Sequence, residues 1–306
     1  MGKLAFVFPG QGSQHTGMGA DLMRYQEAAG IFAMADEIRP GTGMQCFSGD
    51  ETVLTQTGNT QPCLFAVEVA CAAVLQAHGI MPDMTAGFSI GELAALACGG
   101  AGAVPTLFSL VCSRGRLMQE AAERHPAKMA AVLKLENETV EALCRQCGQV
   151  YPVNYNCPGQ VTVSGTEEDL PALLAAVKAA GGRSIPLKVG GGFHSPFMDE
   201  AAEAFAVPAA AAGLRQPEIP VYANCTAAPY CGDTGSLLVQ QIHSPVRWEQ
   251  TIRAMIADGA DTFLELGPGQ TLCGMIRRID RTVRTRSAET AEELEAIISE
   301  LKAEGA

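Results

Sequence analysis

A serine stands between two glycines in the segment Gly87-Phe88-Ser89-Ile90-Gly91, which follows a short apolar run and precedes an alanine-rich stretch. Where a G-x-S-x-G pattern joins a strand to a helix, as a nucleophile elbow, the sharp bend exposes the serine hydroxyl. The glycines accept strained backbone angles and let strand and helix approach. A helix beginning near Ile90 would offer free N–H groups and a positive dipole end to a developing oxyanion. The pattern predicts a nucleophile at Ser89; the alternative is an ordinary turn serine.

One histidine has a backbone setting that suits a partner for this serine. His194 follows three consecutive glycines and Phe193, and such a permissive backbone would let a ligand pass close to an imidazole. His194 is therefore the candidate general base. The other histidines lack this setting and are expected to be surface or hydrogen-bonded structural residues: His15, His78, His125 and His243.

Three more polar side chains could contact a substrate. Arg114 and Arg116 lie on the helix predicted after the elbow, where an arginine is either a solvated surface charge or, inside a pocket, a clamp for a carboxylate. Gln11 lies in a Gly10-Gln11-Gly12 loop after a predicted strand, and its amide could donate to a bound oxygen. The loop lacks the spacing of phosphate and dinucleotide motifs, which argues against nucleotide binding.

The cysteines indicate core packing and a reducing compartment. Cys144 and Cys147 have the spacing of a metal or redox motif. Together with Val140 and Leu143, however, they form the i, i+3, i+4, i+7 stripe of an amphipathic helix, so we interpret them as core residues and predict no metal site. The 11 cysteines show no paired spacing, and the first apolar run, residues 4–8, is short for a secretion signal. We expect reduced thiols and a cytoplasmic location.

Length and charge limit the possible functions. A chain of 306 residues with 47% hydrophobic composition can bury a large core. We expect no membrane-spanning segment, because no apolar run approaches the roughly 20 residues that span a bilayer. The net charge of −12 disfavours nonspecific binding to nucleic acid or membranes, while a local basic patch could still dock an acidic partner.

The hydrophobic pattern predicts two structural units. Residues 4–8 resemble a buried strand, and helices are predicted over 62–77 and 108–122. A βαββαβ order follows, with strands at 129–135, 150–156, 161–164 and 184–189 and helices at 138–147 and 167–180. This order predicts a ferredoxin-like subdomain, residues 126–193, inserted into a large α/β domain formed by 1–125 and 194–306. Within the second part, strands are predicted at 220–223 and 262–266, and a helix at 288–303.

Seven segments together resemble the malonyl-CoA:acyl carrier protein transacylase family. They occur in the family's order over essentially the whole chain: Phe8-Pro9-Gly10-Gln11-Gly12-Ser13-Gln14, Gly87-x-Ser89-x-Gly91-Glu92, Arg114-Gly115-Arg116-Leu117-Met118-Gln119, Asn154-x-Asn156-x-Pro158-Gly159-Gln160, Phe193-His194-Ser195-Pro196-x-Met198, Pro245-Val246-Arg247-Trp248 and Glu265-x-Gly267-Pro268-Gly269. The resemblance implies an α/β-hydrolase-like domain with a parallel sheet and a nucleophile elbow, plus the small ferredoxin-like subdomain.

The resemblance also implies roles for individual residues. Ser89 would accept malonyl from coenzyme A, and His194 would activate it, oriented by the backbone carbonyl of Gln241. Gln11 and the backbone N–H of Ile90 would form the oxyanion hole. Arg114 matches the position that holds the malonyl carboxylate. Phe193, Phe88, Met118 and Asn156 are further expected substrate contacts, and Arg277 and Arg278 form a basic stretch expected to dock the carrier protein.

Phe88 departs from the family pattern, which commonly has histidine before the nucleophile. The change leaves Ser89 and the glycines in place but puts the shape and polarity of the acyl pocket in question. Phe193 resembles malonyl-type rather than methylmalonyl-type members, so malonyl is the expected substrate.

The sequence thus predicts a two-step malonyl transfer from malonyl-CoA to acyl carrier protein, without metal or redox cofactor. A serine hydrolase is the first alternative; it would place no cation in the acyl pocket, and Arg114 argues against it. A noncatalytic binding module is the second, and it would need neither Ser89 nor His194. Whether the pathway is fatty-acid or polyketide synthesis stays open, as does the oligomeric state.

Overall fold

The computed structural model describes residues 2–187 and 189–304. Over these residues the chain forms nine strands in two sheets: β1 (Lys3–Phe8), β2 (Met84–Gly87), β3 (Lys128–Leu133), β4 (Val150–Cys157), β5 (Gln160–Gly165), β6 (Arg183–Leu187), β7 (Val221–Tyr222), β8 (Ala260–Leu266) and β9 (Arg284–Ala288).

The same residues form thirteen α-helices and two short 3-10 helices. The α-helices are α1 (Gln26–Ile38), α2 (Thr42–Ser48), α3 (Glu51–Leu54), α4 (Thr57–Ala77), α5 (Gly91–Cys98), α6 (Val104–Arg124), α7 (Asn137–Gln146), α8 (Leu170–Ala179), α9 (Asp199–Ala211), α10 (Thr234–His243), α11 (Trp248–Ala257), α12 (Thr271–Ile279) and α13 (Ala291–Ala303); the 3-10 helices span Ala20–Arg24 and Pro196–Met198.

The larger sheet is parallel throughout, with strand order β7-β2-β1-β8-β9. Its central strand β1 is buried from its second residue onward, as expected for a parallel strand covered on both faces. The carboxyl ends of β1, β2 and β8 lie at the same edge, and each leads into a glycine-rich loop. In open α/β sheets this edge is where ligands bind.

The smaller sheet is antiparallel, with strand order β4-β5-β3-β6. Helices α7 and α8 pack on one face of it around an apolar cluster that includes Val140, Cys144 and Leu173. Its β4 strand joins the rest of the chain through the Tyr155 N–H, which donates to the Val246 carbonyl at 2.9 Å, and through the Val246 N–H, which donates to the Val153 carbonyl at 2.9 Å.

These two sheets confirm the predicted α/β fold class, including the βαββαβ order of the small unit. Its strands lie between residues 128 and 187, inside the predicted 126–193 span; the division into 126–193 and the flanking 1–125 and 194–306 stays a prediction. Lys188, placed in the last strand by the sequence pattern, lies outside the described residues.

Helix α4 is longer and more apolar than the sequence analysis expected. It starts at Thr57 rather than near Pro62, and Pro62 is accommodated inside it. By length and composition α4 could cross a membrane, contrary to the expectation that no apolar run is long enough, but 83% of its most apolar window is buried inside the fold. It is therefore the central core helix, packed against α1 and α6.

The carboxyl-terminal part contains a strand that the sequence analysis missed. Strand β9 has the polar sequence Arg-Thr-Arg-Ser-Ala and pairs with β8 at the edge of the sheet. The final helix consequently begins at Ala291 rather than at 288, after Thr290, whose hydroxyl accepts from the Glu293 N–H in a capping box. Charged side chains on an edge strand hide the apolar alternation that marks a strand.

An unpaired acid lies in the middle of α4. Glu68 is fully buried, and neither carboxyl oxygen has a hydrogen-bond partner among the described residues. It lies beneath the loop after β8, because a Cβ at Gly267 would be 2.9 Å from Glu68 Cγ. Burial, reinforced by the charge of Glu265, raises the pKa of Glu68 well above 4.5.

We predict that Glu68→Gln stabilises the fold increasingly as the pH rises. Because the folded-state pKa is raised above the unfolded value, wild-type stability is fully present below that unfolded value and falls as the pH rises toward the folded pKa. The slope of the difference is about 1.4 kcal/mol per pH unit within this window. Denaturant unfolding of the wild-type protein and of Glu68→Gln, repeated at pH values across this window, measures the difference in unfolding free energy. Glu203→Gln, at an exposed position on α9, is the control; an equal gain in that variant would contradict the explanation.

Candidate active site

Ser89 occupies a strained turn between β2 and α5. Its φ is 55°, in the left-handed region that costs an L-residue about 1–2 kcal/mol. Both glycines of the motif are sterically required: a Cβ at Gly87 would lie 1.9 Å from the Gly91 carbonyl carbon, and one at Gly91 would lie 2.3 Å from the Phe8 oxygen. Strand, turn and β1 are therefore in backbone contact, which fixes the direction of the serine side chain.

The Ser89 hydroxyl contacts His194. The distance from Ser89 Oγ to His194 Nε2 is 2.6 Å, and His194 Nδ1 lies 2.9 Å from the backbone carbonyl oxygen of Gln241. A carbonyl only accepts, so Nδ1 must carry the proton and Nε2 is left as the acceptor for the serine. Burial, followed by the charge of Arg114, lowers the pKa of His194 to about 3, so the ring is neutral at physiological pH.

The glycines before His194 have a packing role that differs from the one inferred from the sequence. A Cβ at Gly191 would lie 2.4 Å from the Ala122 Cβ, and one at Gly192 would lie 2.4 Å from the Phe197 ring. Gly191 allows the loop to lie against α6, and Gly192 allows it to lie against Phe197. His194 itself has a φ of 61°. Strain at both Ser89 and His194 is typical of a site whose geometry is fixed by its surroundings.

Arg114 lies fully buried beside the serine. Its Nη1 donates to Gln61 Oε1 at 2.8 Å, and its Nη2 donates to Gln241 Oε1 at 2.7 Å and approaches Ser89 Oγ at 3.4 Å. All its hydrogen-bond partners among the described residues are neutral. Burial lowers its pKa to about 10, with the charge of Glu92 opposing the shift, so the cation persists at neutral pH without a contacting anion.

A buried acid lies behind this constellation. Glu92, on the first turn of α5, accepts from the Asn224 N–H at 2.8 Å, from Gln241 Nε2 at 3.3 Å and from the Tyr230 hydroxyl. Asn224 in turn accepts from the Ser89 N–H at 2.7 Å. Burial raises the pKa of Glu92 to about 7, while these hydrogen bonds and Arg114 oppose the rise.

Of the two expected oxyanion donors, Gln11 lines the space next to Ser89, and Ile90 follows Ser89 in the chain. Gln11 lines the cavity around Ser89, with its Nε2 3.3 Å from Thr57 Oγ1. The Ile90 N–H, at the start of α5, donates to none of the described residues. Free N–H groups at a helix amino terminus, together with a side-chain amide, can stabilise an oxyanion.

Two adjoining cavities open from this point. The inner one, about 90 Å³, contains Ser89 and His194, and the outer one, about 230 Å³, extends toward α12. Residues common to both are Gln11, Phe88, Asn154 and Leu187. Since Asn154 and Leu187 come from the antiparallel sheet and the others from the parallel one, the passage runs between the two units.

The remaining predicted substrate contacts line these cavities. Phe193 and Met118 border the inner cavity, and Asn156 borders the outer one with its Oδ1 buried and without a partner among the described residues. Phe88 borders both, and its ring packs edge-on against Trp248 at 5.6 Å between centroids. The aromatic ring at position 88 therefore presents an apolar wall beside the nucleophile.

Other residues considered from the sequence lie elsewhere. Arg116 is exposed and pairs with Glu120 at 2.8 Å, so it does not reach the cavity. Arg277 and Arg278 are exposed at the end of α12. Within the described part of the chain, no cluster of three or more histidine, cysteine or acidic side chains could hold a metal ion. His15, His125 and His243 pair with surface carboxylates, and His78 bonds to the Val74 carbonyl.

Several residues of the site were not identified as functional from the sequence. Gln61 and Met129 line the inner cavity, and Leu187 lines both. Glu92 and Asn154 lie inside two of the seven segments quoted above, so the sequence did contain a signal for these two residues. Asn224 and Tyr230 carry no sequence signal, because they reach the site only through folding of the segment after β7.

The fold and this site are those of an acyltransferase, and residues 5–304 match the family model described as acyl transferase domain. The malonyl CoA-acyl carrier protein transacylase of Bacillus subtilis (strain 168) is 37% identical to this chain, over 99% of both proteins. The chain belongs to the malonyl-CoA:acyl carrier protein transacylase family, as the seven segments indicated.

Solved structures of the same family superpose closely on the chain. The malonyl CoA-acyl carrier protein transacylase of Clostridium perfringens has a TM-score of 0.95 and 32% identity, covering 99% of this chain and 98% of its own. A malonyl-transacylase in complex with a type II PKS acyl-carrier protein has a TM-score of 0.94 and 34% identity, covering 97% of this chain and 99% of its own.

Proposed function

We propose that this protein transfers malonyl from malonyl-CoA to the phosphopantetheine thiol of acyl carrier protein, through a malonyl ester on Ser89. The observation that carries the assignment of roles is the buried Arg114 cation, which lies 3.4 Å from Ser89 Oγ and has only neutral hydrogen-bond partners among the described residues. An acyl group with a free carboxylate would supply the missing anion. The product serves fatty-acid or polyketide synthesis.

In the first half-reaction, Ser89 attacks the thioester carbonyl of malonyl-CoA. His194 Nε2 takes the hydroxyl proton as the Oγ–C bond forms, and the Gln241 carbonyl stabilises the resulting imidazolium through Nδ1–H. The oxyanion is held by Gln11 Nε2 and the Ile90 N–H, each donor worth about 10²–10³ in rate. The C–S bond then breaks, and His194 returns its proton to the leaving thiolate.

In the second half-reaction, the carrier-protein thiol takes the place of coenzyme A. His194 removes the thiol proton, the sulfur attacks the Ser89 ester, and the C–O bond breaks with the proton returning to Ser89 Oγ. Thioester and ester exchange need only nucleophile activation and oxyanion stabilisation. The proposed reaction therefore uses no metal or cofactor beyond its two substrates.

The inner cavity supports malonyl over a branched acyl group. Its volume is about 90 Å³, and Phe193 and Met118 form part of its wall. The guanidinium carries five N–H donors in a planar fork, of which three are used, by Gln61, Gln241 and Ser89. The others suffice for bidentate binding of a carboxylate, each such bond contributing about 1.5–3 kcal/mol.

The two alternative functions fit these contacts less well. A serine hydrolase has no use for an unneutralised cation next to its nucleophile, and a binding module has no use for a serine 2.6 Å from a carbonyl-oriented histidine. We further propose that the protein acts in the cytoplasm, because all 11 cysteines of the chain are free thiols.

We predict that Ser89→Ala forms no covalent adduct with malonyl-CoA, whereas the wild-type chain gains one malonyl group on the peptide that contains Ser89. Intact-mass and peptide mass analysis measure both. Addition of carrier protein should move the group to the carrier thiol. His194→Ala should slow both steps by orders of magnitude with the fold unchanged. A normal adduct in Ser89→Ala would refute the nucleophile assignment, and release as free malonate would favour the hydrolase.

We predict that Arg114→Ala lowers kcat/KM for malonyl-CoA by at least about 10²-fold while acetyl-CoA is affected far less, because the malonyl carboxylate is left desolvated and unpaired. Competitive loading with both thioesters, read by mass, gives the ratio. Arg116→Ala is the matched control on the same helix, and its ratio should equal the wild-type ratio. Equal losses for both acyl groups in Arg114→Ala would mean a purely structural role.

We further propose that carrier protein docks on Arg277 and Arg278. Arg278 donates to the Pro158 carbonyl at 3.2 Å and to Gln160 Oε1 at 2.7 Å, and Arg277 donates to Thr285 Oγ1 at 3.1 Å. These acceptors are neutral, so the two charges stay available. Gln160 also borders the outer cavity, so Arg278 bonds to a residue of the cavity wall. A local positive field there could steer an acidic partner.

We predict that the double variant Arg277→Glu, Arg278→Glu raises KM for carrier protein about 10-fold or more and flattens its salt dependence. Stopped-flow acylation of Ser89 by malonyl-CoA should be nearly unchanged, because that step does not involve the protein partner. Arg145→Glu, on α7 across the small sheet from the cavity, is the control for a single charge reversal away from the proposed patch. A parallel fall in acylation would assign the patch to coenzyme A binding or to the fold.

A further inference from the structure

Glu92 is connected, through one intervening residue, to Ser89, His194 and Arg114. Gln241 bonds to Glu92 and also contacts His194 with its backbone carbonyl, Arg114 with its Oε1 and the Ser89 carbonyl with its Nε2 at 2.7 Å. Asn224 bonds to Glu92 and to the Ser89 N–H. The carboxylate itself is fully buried and touches neither the serine nor the cavity.

The orientation of the Gln241 amide depends on what faces its nitrogen. Glu92 Oε2 and the Ser89 carbonyl are both acceptors, so the amide turns its Nε2 toward them and its Oε1 toward Arg114. The reverse orientation would set two oxygens against each other at one end and two N–H donors at the other. An ionised carboxylate accepts only, whereas a protonated carboxyl or an amide also donates.

We propose that Glu92 is a positioning residue, whose carboxylate fixes the Gln241 side chain so that Arg114 is held ready for the substrate carboxylate. The inference rests on the proposed malonyl transfer. It adds a third layer behind the nucleophile: Glu92 orients Gln241, and Gln241 orients both the guanidinium and the imidazole.

The charges around Glu92 make this role dependent on pH. Arg114 on α6 favours the ionised form, and the Tyr230 hydroxyl and the Asn224 N–H from the segment after β7 also favour it, while burial opposes it. Cys225 faces it from the same segment, with a thiol pKa raised to about 12 by burial and so uncharged. His194, with a pKa of about 3, is neutral at pH values near 7. A decrease in the acylation rate as the pH is lowered through neutrality would therefore report protonation of Glu92.

The test compares Glu92→Gln with the wild-type chain. Single-turnover acylation of Ser89 by malonyl-CoA and by acetyl-CoA is measured from about pH 5.5 to 8.5. We expect the wild-type malonyl rate to fall as the pH drops through about 7, and Glu92→Gln to be at least 10-fold slower with malonyl and flat over this range. The acetyl rate should fall less, because it does not use Arg114. Tyr230→Phe removes one hydrogen bond but keeps the carboxylate. Its malonyl acylation rate should therefore still fall as the pH is lowered, with the midpoint moved to higher pH.

A second measurement needs neither catalysis nor a folded Glu92 variant. The Arg114 side-chain N–H resonances of the wild-type enzyme, identified by their loss in Arg114→Ala, should shift as the pH passes through about 7. Resonances that do not change with pH would overturn the positioning role. So would a Glu92→Gln variant whose acylation rates fall equally for malonyl-CoA and acetyl-CoA and whose malonyl rate keeps the wild-type decrease at low pH. If wild-type enzyme forms no malonyl adduct, the proposed function fails instead, and the resonances still decide whether Glu92 positions Arg114.

Discussion

The site depends on a buried positive charge that contacts no anion among the described residues. Arg114 is removed from water and held by two glutamine oxygens. Such a desolvated ion is costly unless something neutralises it. The same charge helps to keep His194 neutral and ready to accept a proton. Substrate selection and base activation therefore share one electrostatic cause, and the substrate carboxylate completes the balance.

The backbone provides the second constraint. Ser89 and His194 both adopt left-handed angles, and the glycines at 87, 91, 191 and 192 leave no room for a Cβ. These contacts join the ends of β1 and β2 to the start of α5, and they join the loop before α9 to α6 and to Phe197. Because rigid packing holds the two reacting groups, little reorganisation is needed when the acyl group arrives, which is the advantage of a preorganised site.

Local sequence patterns allowed prediction of the elements with strong periodicity and of the residues inside recognisable motifs. The βαββαβ order, Ser89, His194 and the positions of Gln11 and Arg114 could be anticipated this way. Strand β9 could not, since its polar residues show no apolar alternation. The start of α4 was misplaced because proline usually marks the first helical turn, and here Pro62 lies further inside.

The hydrogen-bond network behind the site could not be predicted from local sequence patterns, for a different reason. Asn224 and Tyr230 are separated from Glu92 by more than 130 residues in sequence. Their contacts exist only after β7 pairs with β2. Such long-range contacts leave no periodic pattern in the sequence. The glycines before His194 are a clear sequence signal, but at Gly191 and Gly192 their cause is close packing on Ala122 and Phe197, which differs from the cause inferred from the sequence.

The two cavities beside Ser89 share four wall residues and form a single corridor. Whatever delivers the acyl group and whatever collects it must occupy the same space, with their thiols at the same point. The first carrier has to depart before the second can enter, and an excess of either one keeps the other out. A single shared passage thus imposes an order of events on the two carriers.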